Sequence, residues 1–296
     1  MFRIEFLPLI PAGIALLLSF APTSFLEARK SINIILQIFW FIFLVFLKRQ
    51  GLLSVSDFSL LSVQILVLLG VKTENWLLIA LSTASIVSGN FQLALLFAYL
   101  HVVMMFFMIL QTGGLYKGST SYQSIIFFLV IDLSAYFSLS VSHPAAYWIV
   151  LLPCLARTLF LVASPYARTV FYNCPTEVMI LLLGSMVPIG ISLLSKVPLP
   201  CPRLDILEVI CMGSALFAAM LFLMERSRRQ RAIYLFMAQS PLCIALILKK
   251  HPLGMPLCLL GMVNSMTWLY FLDKPKIRYL NIALAGTTVI WLVCKQ

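Results

Sequence analysis

Charged side chains are scarce in this chain: they make up 10% of its 296 residues, and only ten of them are acidic. A soluble domain needs a hydrated polar shell around its core, whereas here 62% of residues are hydrophobic and the mean hydropathy is +1.03. Histidine is rarer still. His101, His143 and His251 lie far apart, and the last two precede prolines at helix boundaries, which reads as loop chemistry. The seven cysteines (Cys154, Cys174, Cys201, Cys211, Cys243, Cys258 and Cys294) include no C-x-x-C pair, and most fall in or beside apolar runs. That spacing argues against a disulfide framework or a metal site. Also missing are a D-D-x-x-D carboxylate pair, G-x-S-x-G, H-E-x-x-H and a G-K-[ST] phosphate loop. No independent catalytic motif is left, and neither a metal nor a cofactor is expected.

What is present is apolar sequence from one end to the other. A helix needs roughly 20 residues to cross a bilayer, and its backbone must be hydrogen-bonded internally there. The runs are continuous and do not alternate, which argues against a β-barrel. The expected fold is all-α: a polytopic integral membrane helix bundle, one transmembrane domain over residues 1–296. Candidate spans lie near 7–25, 32–47, 56–71, 75–111, 122–142, 146–165, 176–196, 205–224, 231–248, 252–272 and 278–294. The 75–111 run reads as two helices broken at Ser88-Gly89-Asn90, so about ten to twelve helices are expected, some kinked or incomplete. The N-terminal apolar run has no A-x-A-like cleavage site and reads as a retained first helix. Connections are about ten residues at most, which leaves no room for an extramembrane catalytic domain.

The net charge of +11 sits in those short connections: Arg29-Lys30, Lys48-Arg49, "ERSRRQR" at 225–231, Lys249-Lys250 and "DKPKIR" at 273–278. The basic loop holding Arg228, Arg229 and Arg231 fits the positive-inside rule, so nucleic acid is not the expected partner. On a count of twelve helices the charged loops are cytoplasmic and the N-terminus lies outside. A multi-pass integral membrane location follows, which in a bacterium is the inner, cytoplasmic membrane.

Polar residues inside apolar runs carry the functional information, because burying them in lipid is costly. His101 lies in "LLFAYLHVVMMFF", Asp132 in "IIFFLVIDLSAYFSL" and Arg157 in "LPCLARTLFLVASP". Glu177 opens a long apolar helix, and Asp205 and Glu208 lie near the start of another. Each has a plain alternative. His101 can be a neutral, hydrogen-bonded histidine. Glu177 and Asp205 can be first-turn carboxylates favoured by the helix dipole, and Glu208 fits either account. Asp132 has no basic residue within one turn along the chain, so it is protonated, paired across helices or facing water. Arg157 cannot shed its charge at any accessible pH, and Asp132 and Glu177 are its nearest candidate anions. Pro153, Pro165, Pro175 and Pro188 fall within 36 residues around it. Each removes a backbone donor and marks a possible helix break, and broken helices beside charges often line ion pathways.

The segment from 157 to 194 resembles the central region of the antiporter-like membrane subunits of respiratory complex I and the related Mrp-type cation/proton antiporters. In that family a lysine in an apolar helix is followed by broken, proline-containing backbone. An alanine-proline-threonine element then opens the next long helix. Here Arg157 stands in the lysine's place and Cys174-Pro175-Thr176 at the helix opening. "LIALSTASIVSGNFQLALLFAYLHVV" at 78–103 resembles the family's paired helices, with Gly89-Asn90 in the turn and His101 where the key glutamate falls. "ALFAAMLFLMERSRRQRAIYLFMAQSPLCIALI" at 215–247 resembles a later helix, basic loop and helix, with Gln230-Arg231 at the Lys-Arg position. The resemblance covers about 78–247.

It implies a proton- or cation-translocating subunit working with other membrane subunits in the bilayer, at most one part of a redox-coupled complex. Its departures shape that expectation. Glutamate becomes His101, lysine becomes Arg157, and the following helix offers Pro188 and aliphatics where the family carries histidine or lysine. The chain is also shorter than the family's roughly fourteen-helix members, with no counterpart to the ionisable residue of a later broken helix. Arginine does not release its proton as lysine can, so the family relay does not transfer residue by residue. A degenerate relative that no longer conducts is one outcome. Two other readings stand beside it: an unrelated multi-pass carrier or flippase in which Arg157 binds a small anionic solute or lipid, and a membrane-embedded lipid enzyme, which the missing motifs support least.

Overall fold

The computed structural model describes residues 29–51, 54–68, 76–111, 119–141, 143–158, 176–198 and 204–251, with isolated positions at 254, 257, 258, 260 and 261. All regular structure among the described residues is α-helical. The helices are α1 (Arg29–Arg49), α2 (Val55–Leu68), α3 (Trp76–Val87), α4 (Phe91–Gln111), α5 (Ser119–Ser138), α6 (Pro144–Arg157), α7 (Thr176–Lys196), α8 (Leu204–Met224) and α9 (Arg228–Leu248). The expected spans at 7–25 and 278–294 lie outside the described residues, as does most of 252–272.

Local chemistry sets the helix ends. Lys48 and Arg49 occupy the last turn of α1, where cations oppose the negative end of the helix dipole, and Gly51 follows at a φ of +70°. At the start of α2 the Ser54 hydroxyl accepts the Asp57 N–H at 3.0 Å, capping the first turn, and donates its own proton to the Asp57 carboxylate at 2.7 Å. The 75–111 run breaks at Ser88-Gly89-Asn90, where the Asn90 side-chain oxygen accepts the Gln92 N–H at 2.9 Å and starts α4. His143 caps α6: its Nδ1 accepts the Ala145 N–H at 3.1 Å, and Pro144 fills the first helical position. Pro241 lies within α9, where it leaves the carbonyl four residues back without its usual donor.

The helices form two compact units, one from Arg29 to Thr158 together with α7, the other built on α8 and α9. In the first unit α7 packs against α2, α3, α4 and α6, while α5 packs against α4 and α6. In the second, α8 and α9 form a hairpin with the more extensive contact.

The first unit buries polar side chains within its apolar core and turns many apolar side chains outward. Gln64, Ser82, Thr83, Ser85, His101, Asp132, Arg157, Ser185 and Ser192 are buried. Meanwhile Ile38, Phe39 and Ile42 on α1, Leu93 and Leu96 on α4, and Ile126, Val130 and Phe137 on α5 face outward. On α8, Val209, Leu216 and Leu223 are also exposed, at 71%, 66% and 76%. Outward apolar stripes of this extent on several helices exceed the isolated exposed apolar residues of soluble monomers.

By length and composition, Asp205–Met224 and Gln230–Leu248 are long and apolar enough to cross a membrane. Leu77–Val87, Phe91–Phe107, Ile126–Ser138 and Ala145–Arg157 are shorter apolar helices. About ten to twelve helices, some kinked or incomplete, were expected from the runs, and nine are bounded among the described residues. In the run at 146–165 the helix stops at Arg157 and is capped by Thr158.

Candidate functional site

Arg157 reaches its position at the end of α6, whose 14 residues place it roughly 21 Å from the helix start. Pro153 lies inside that helix with no N–H for the carbonyl four residues back, and its own carbonyl receives Arg157 Nη1 at 3.1 Å. Thr158 closes the helix: its N–H and hydroxyl both donate to the Cys154 carbonyl, at 3.2 and 3.1 Å, and the hydroxyl also reaches the Leu155 carbonyl at 3.0 Å. A cation in the last turn suits the helix dipole, but burial requires more than that.

Asp132 on α5 supplies the rest. Arg157 Nη1 donates to one carboxylate oxygen at 2.7 Å and Nη2 to the other at 2.5 Å, a bidentate pair with both side chains essentially unexposed. Nη2 also donates to the Ala98 carbonyl of α4 at 3.3 Å. Phe128, one turn before Asp132, places its ring 5.6 Å from the guanidinium carbon. The arginine therefore joins α4, α5 and α6 through four hydrogen bonds.

His101 lies three residues beyond Ala98 on α4, fully buried and within electrostatic range of Arg157. Among the described residues neither of its ring nitrogens has a hydrogen-bond partner, and Arg157 Nε has none either. Buried polar atoms without partners are uncommon and are met by water or a moving group at functional sites.

The floor of the site is α7. A Cβ on Gly190 would sit 2.8 Å from Arg157 Cβ, 2.9 Å from Thr158 Cγ2 and 3.1 Å from the Cys154 carbonyl, so only glycine lets α6 and α7 meet here. Pro188, buried two residues earlier, interrupts the α7 hydrogen-bond ladder.

The structure therefore joins Arg157, Asp132, His101 and Pro153, with Pro188 on the adjoining helix. It does not bring every candidate there. Glu208 belongs to the second unit, where its carboxylate pairs with Lys249 on the hairpin partner. Arg231 is also in that unit, and its Nε donates to the Glu225 carbonyl at 2.5 Å. Pro165 and Pro175 lie outside the described residues, and Glu177, Arg228 and Arg229 are described only as helix positions.

A second polar group in the first unit escaped sequence reading. Gln64 donates to the Ser82 hydroxyl at 2.9 Å, which donates to the Ser185 carbonyl at 3.1 Å. Lys196 donates to the Ser192 hydroxyl at 2.8 Å and to the Ile86 carbonyl, and lies 4.0 Å from Asp57. Single serines and a lysine at a helix end look ordinary in sequence. Only the spacing of Ser185, Ser192 and Lys196, seven and four residues apart on one helical face, hints at a shared seam.

The arrangement offers a charge-neutral ion pair held by three helices and an unpartnered imidazole beside it. An external anion would have to displace Asp132 from both guanidinium nitrogens. No known family model and no curated protein sequence matches this chain.

Proposed function

We propose that this chain is a multi-pass membrane protein of the antiporter-like kind, a subunit that moves protons or monovalent cations through the centre built from Arg157, Asp132 and His101, together with other membrane subunits. The observation that carries the reading is the buried Arg157–Asp132 pair with the unpartnered His101 beside it. A buried ion pair contributes little net stability compared with apolar packing, and ionisable residues kept inside an apolar bundle are functional candidates by default. The outward apolar faces support membrane embedding.

In this reading Arg157 is a fixed electrostatic anchor and His101 the group with free hydrogen-bonding capacity. A carrier that binds an anionic solute at Arg157 is less well supported, because Asp132 already occupies the guanidinium face.

The test is pH-gradient dissipation in vesicles containing the parent, Arg157→Ala or His101→Ala. Flux above that of empty vesicles in the parent, lost in either variant, is the expected result. Flux in all three equal to that of empty vesicles would sink the translocation reading.

A further inference from the structure

Two buried thiols in the second unit meet across a close backbone contact. Beyond α9 the described positions 254, 257, 258, 260 and 261 are helical. A Cβ on Gly254 would lie 2.7 Å from the Ile247 backbone nitrogen and 2.9 Å from the Leu246 carbonyl carbon, and one on Gly261 would lie 2.5 Å from Gln239 Oε1. These contacts advance from 254 to 261 while they retreat from 247 to 239, so the stretch runs antiparallel along α9. Helix axes normally pack about 8–10 Å apart, and glycines let backbones approach more closely. Cys258 falls between the two glycines, and Cys243 falls between Ile247 and Gln239. Their side chains lie within hydrogen-bonding range of each other, and both are buried.

A disulfide needs Cα atoms roughly 4.4–6.8 Å apart and Cβ atoms that point together. The glycine contacts on either side bring the two backbones close, and the thiol contact sets the direction. The other described cysteines lie elsewhere. Cys154 belongs to the first unit, and Cys211 on α8 lies against the Ala245 backbone, about 200° round α9 from Cys243. Among the described residues no third His, Cys, Asp or Glu joins the pair to hold a metal ion. Neither the dithiol nor the disulfide carries charge, so burial opposes neither state, whereas thiolates around a metal would bring charge into apolar surroundings. Leu242, next to Cys243, and Leu260, two residues after Cys258, are 44% and 41% exposed, so apolar side chains beside the pair meet the surroundings.

We propose that Cys243 and Cys258 are a redox-active pair that closes to a disulfide when an organic hydroperoxide enters the apolar phase around the second unit. One sulfur attacks the outer peroxide oxygen and breaks the O–O bond, giving a sulfenic acid and the alcohol. The second thiol attacks the sulfenic sulfur, forming the S–S bond and releasing water. The two sulfurs together lose two electrons, the peroxide gains them, and the thiol protons leave in the alcohol and the water. The link pins the stretch around 258 to α9, and a dithiol reductant reverses it by exchange. This site stands apart from the translocation reading, because both sulfurs belong to the second unit.

The experiment uses the full chain in phospholipid vesicles, treated with cumene hydroperoxide or with hydrogen peroxide at equal concentration and quenched with N-ethylmaleimide. Trypsin cleaves at Lys249 and Lys250, between the two cysteines, so mass spectrometry reads the link as joined peptides. The Cys243–Cys258 link is expected to form, faster with cumene hydroperoxide, to disappear with dithiothreitol and to persist in Cys211→Ser. Gly254→Val places a side chain against the Ile247 backbone and should slow the link at least about tenfold by moving the sulfurs apart. No link in the parent with cumene hydroperoxide, or a link from either cysteine to Cys211 in its place, overturns the pairing. Equal rates with the two peroxides overturn the apolar oxidant, and Gly254→Val linking at the parent rate overturns the role of the glycine contact.

Discussion

Replacing Asp132 by leucine strands the Arg157 guanidinium in a buried site with two backbone carbonyls as its remaining partners, from Pro153 and Ala98. The pair is bidentate at 2.7 and 2.5 Å. With charge centres about 4 Å apart and an effective dielectric near 20, its Coulomb attraction is about 4 kcal/mol. Removing one partner of a buried pair typically costs about 3–5 kcal/mol, because the remaining charge is uncompensated. The two single variants should differ. A stranded carboxylate can take up a proton, whereas a guanidinium cannot give one up, so Asp132→Leu should cost more than Arg157→Met. The double variant replaces the pair by apolar side chains of similar reach and should recover most of the loss. Unfolding of detergent-solubilised protein, followed by circular dichroism for the parent, both singles and the double, closes the cycle. A coupling energy of about 2 kcal/mol or more is expected. Additive losses, with the double variant as unstable as the sum of the singles, would refute the description of a buried, mutually dependent pair.

Three other perturbations separate packing from chemistry. Gly190→Ala removes a helix-interior glycine, normally a gain of up to about 1 kcal/mol, but its methyl would meet Arg157, Thr158 and the Cys154 carbonyl at 2.8 to 3.1 Å. A net loss of about 1–3 kcal/mol in the same unfolding assay is expected, and a stabilised variant would show that α6 and α7 do not approach this closely. His101→Leu removes two buried nitrogens without partners, so stability should hold or rise by about 1 kcal/mol while vesicle proton flux falls to background. Loss of both together would mark His101 as structural. Glu208→Gln breaks an ion pair with Lys249 that is a third to a half exposed. It should shift stability by less than about 1 kcal/mol and leave flux at the parent level, and a large drop in flux would return Glu208 to the pathway.

The legible parts of this molecule were those that depend on local sequence. Helical content followed from continuous apolar runs, and the Ser88-Gly89-Asn90 break followed from its turn chemistry. Burial of Arg157 and its pairing with Asp132 were readable as a charge problem, since an arginine in an apolar run needs an anion and few were within reach. Glu177 is the nearer along the chain, 20 residues away against 25, and choosing Asp132 takes the packing of α5 against α6. Gly190 was not legible. Its role lies in the approach of two helices, and a glycine near a proline in an apolar helix has several other readings. The Lys196 seam was hidden for a similar reason, because each of its residues is common alone and only the tertiary contacts align them.

The choice of arginine at position 157 can itself be argued from donors. A guanidinium carries five N–H groups in one plane, and the four on its two terminal nitrogens meet both Asp132 oxygens, the Pro153 carbonyl and the Ala98 carbonyl. A lysine has three donors about a point and cannot hold a carboxylate at both oxygens while reaching one carbonyl on α4 and another on its own helix. Arg157→Lys should therefore release the Ala98 contact first, since at 3.3 Å it is the longest of the four. It should lower stability by about 1–3 kcal/mol, the cost of a buried acceptor left unmet. The variant also separates two roles. A lysine can release a proton where an arginine does not, so if residue 157 blocked the path by its permanent charge, flux would rise above the parent. The anchor reading requires flux that stays level or falls, because the geometry around Asp132 and His101 loosens while the cargo never passes through residue 157.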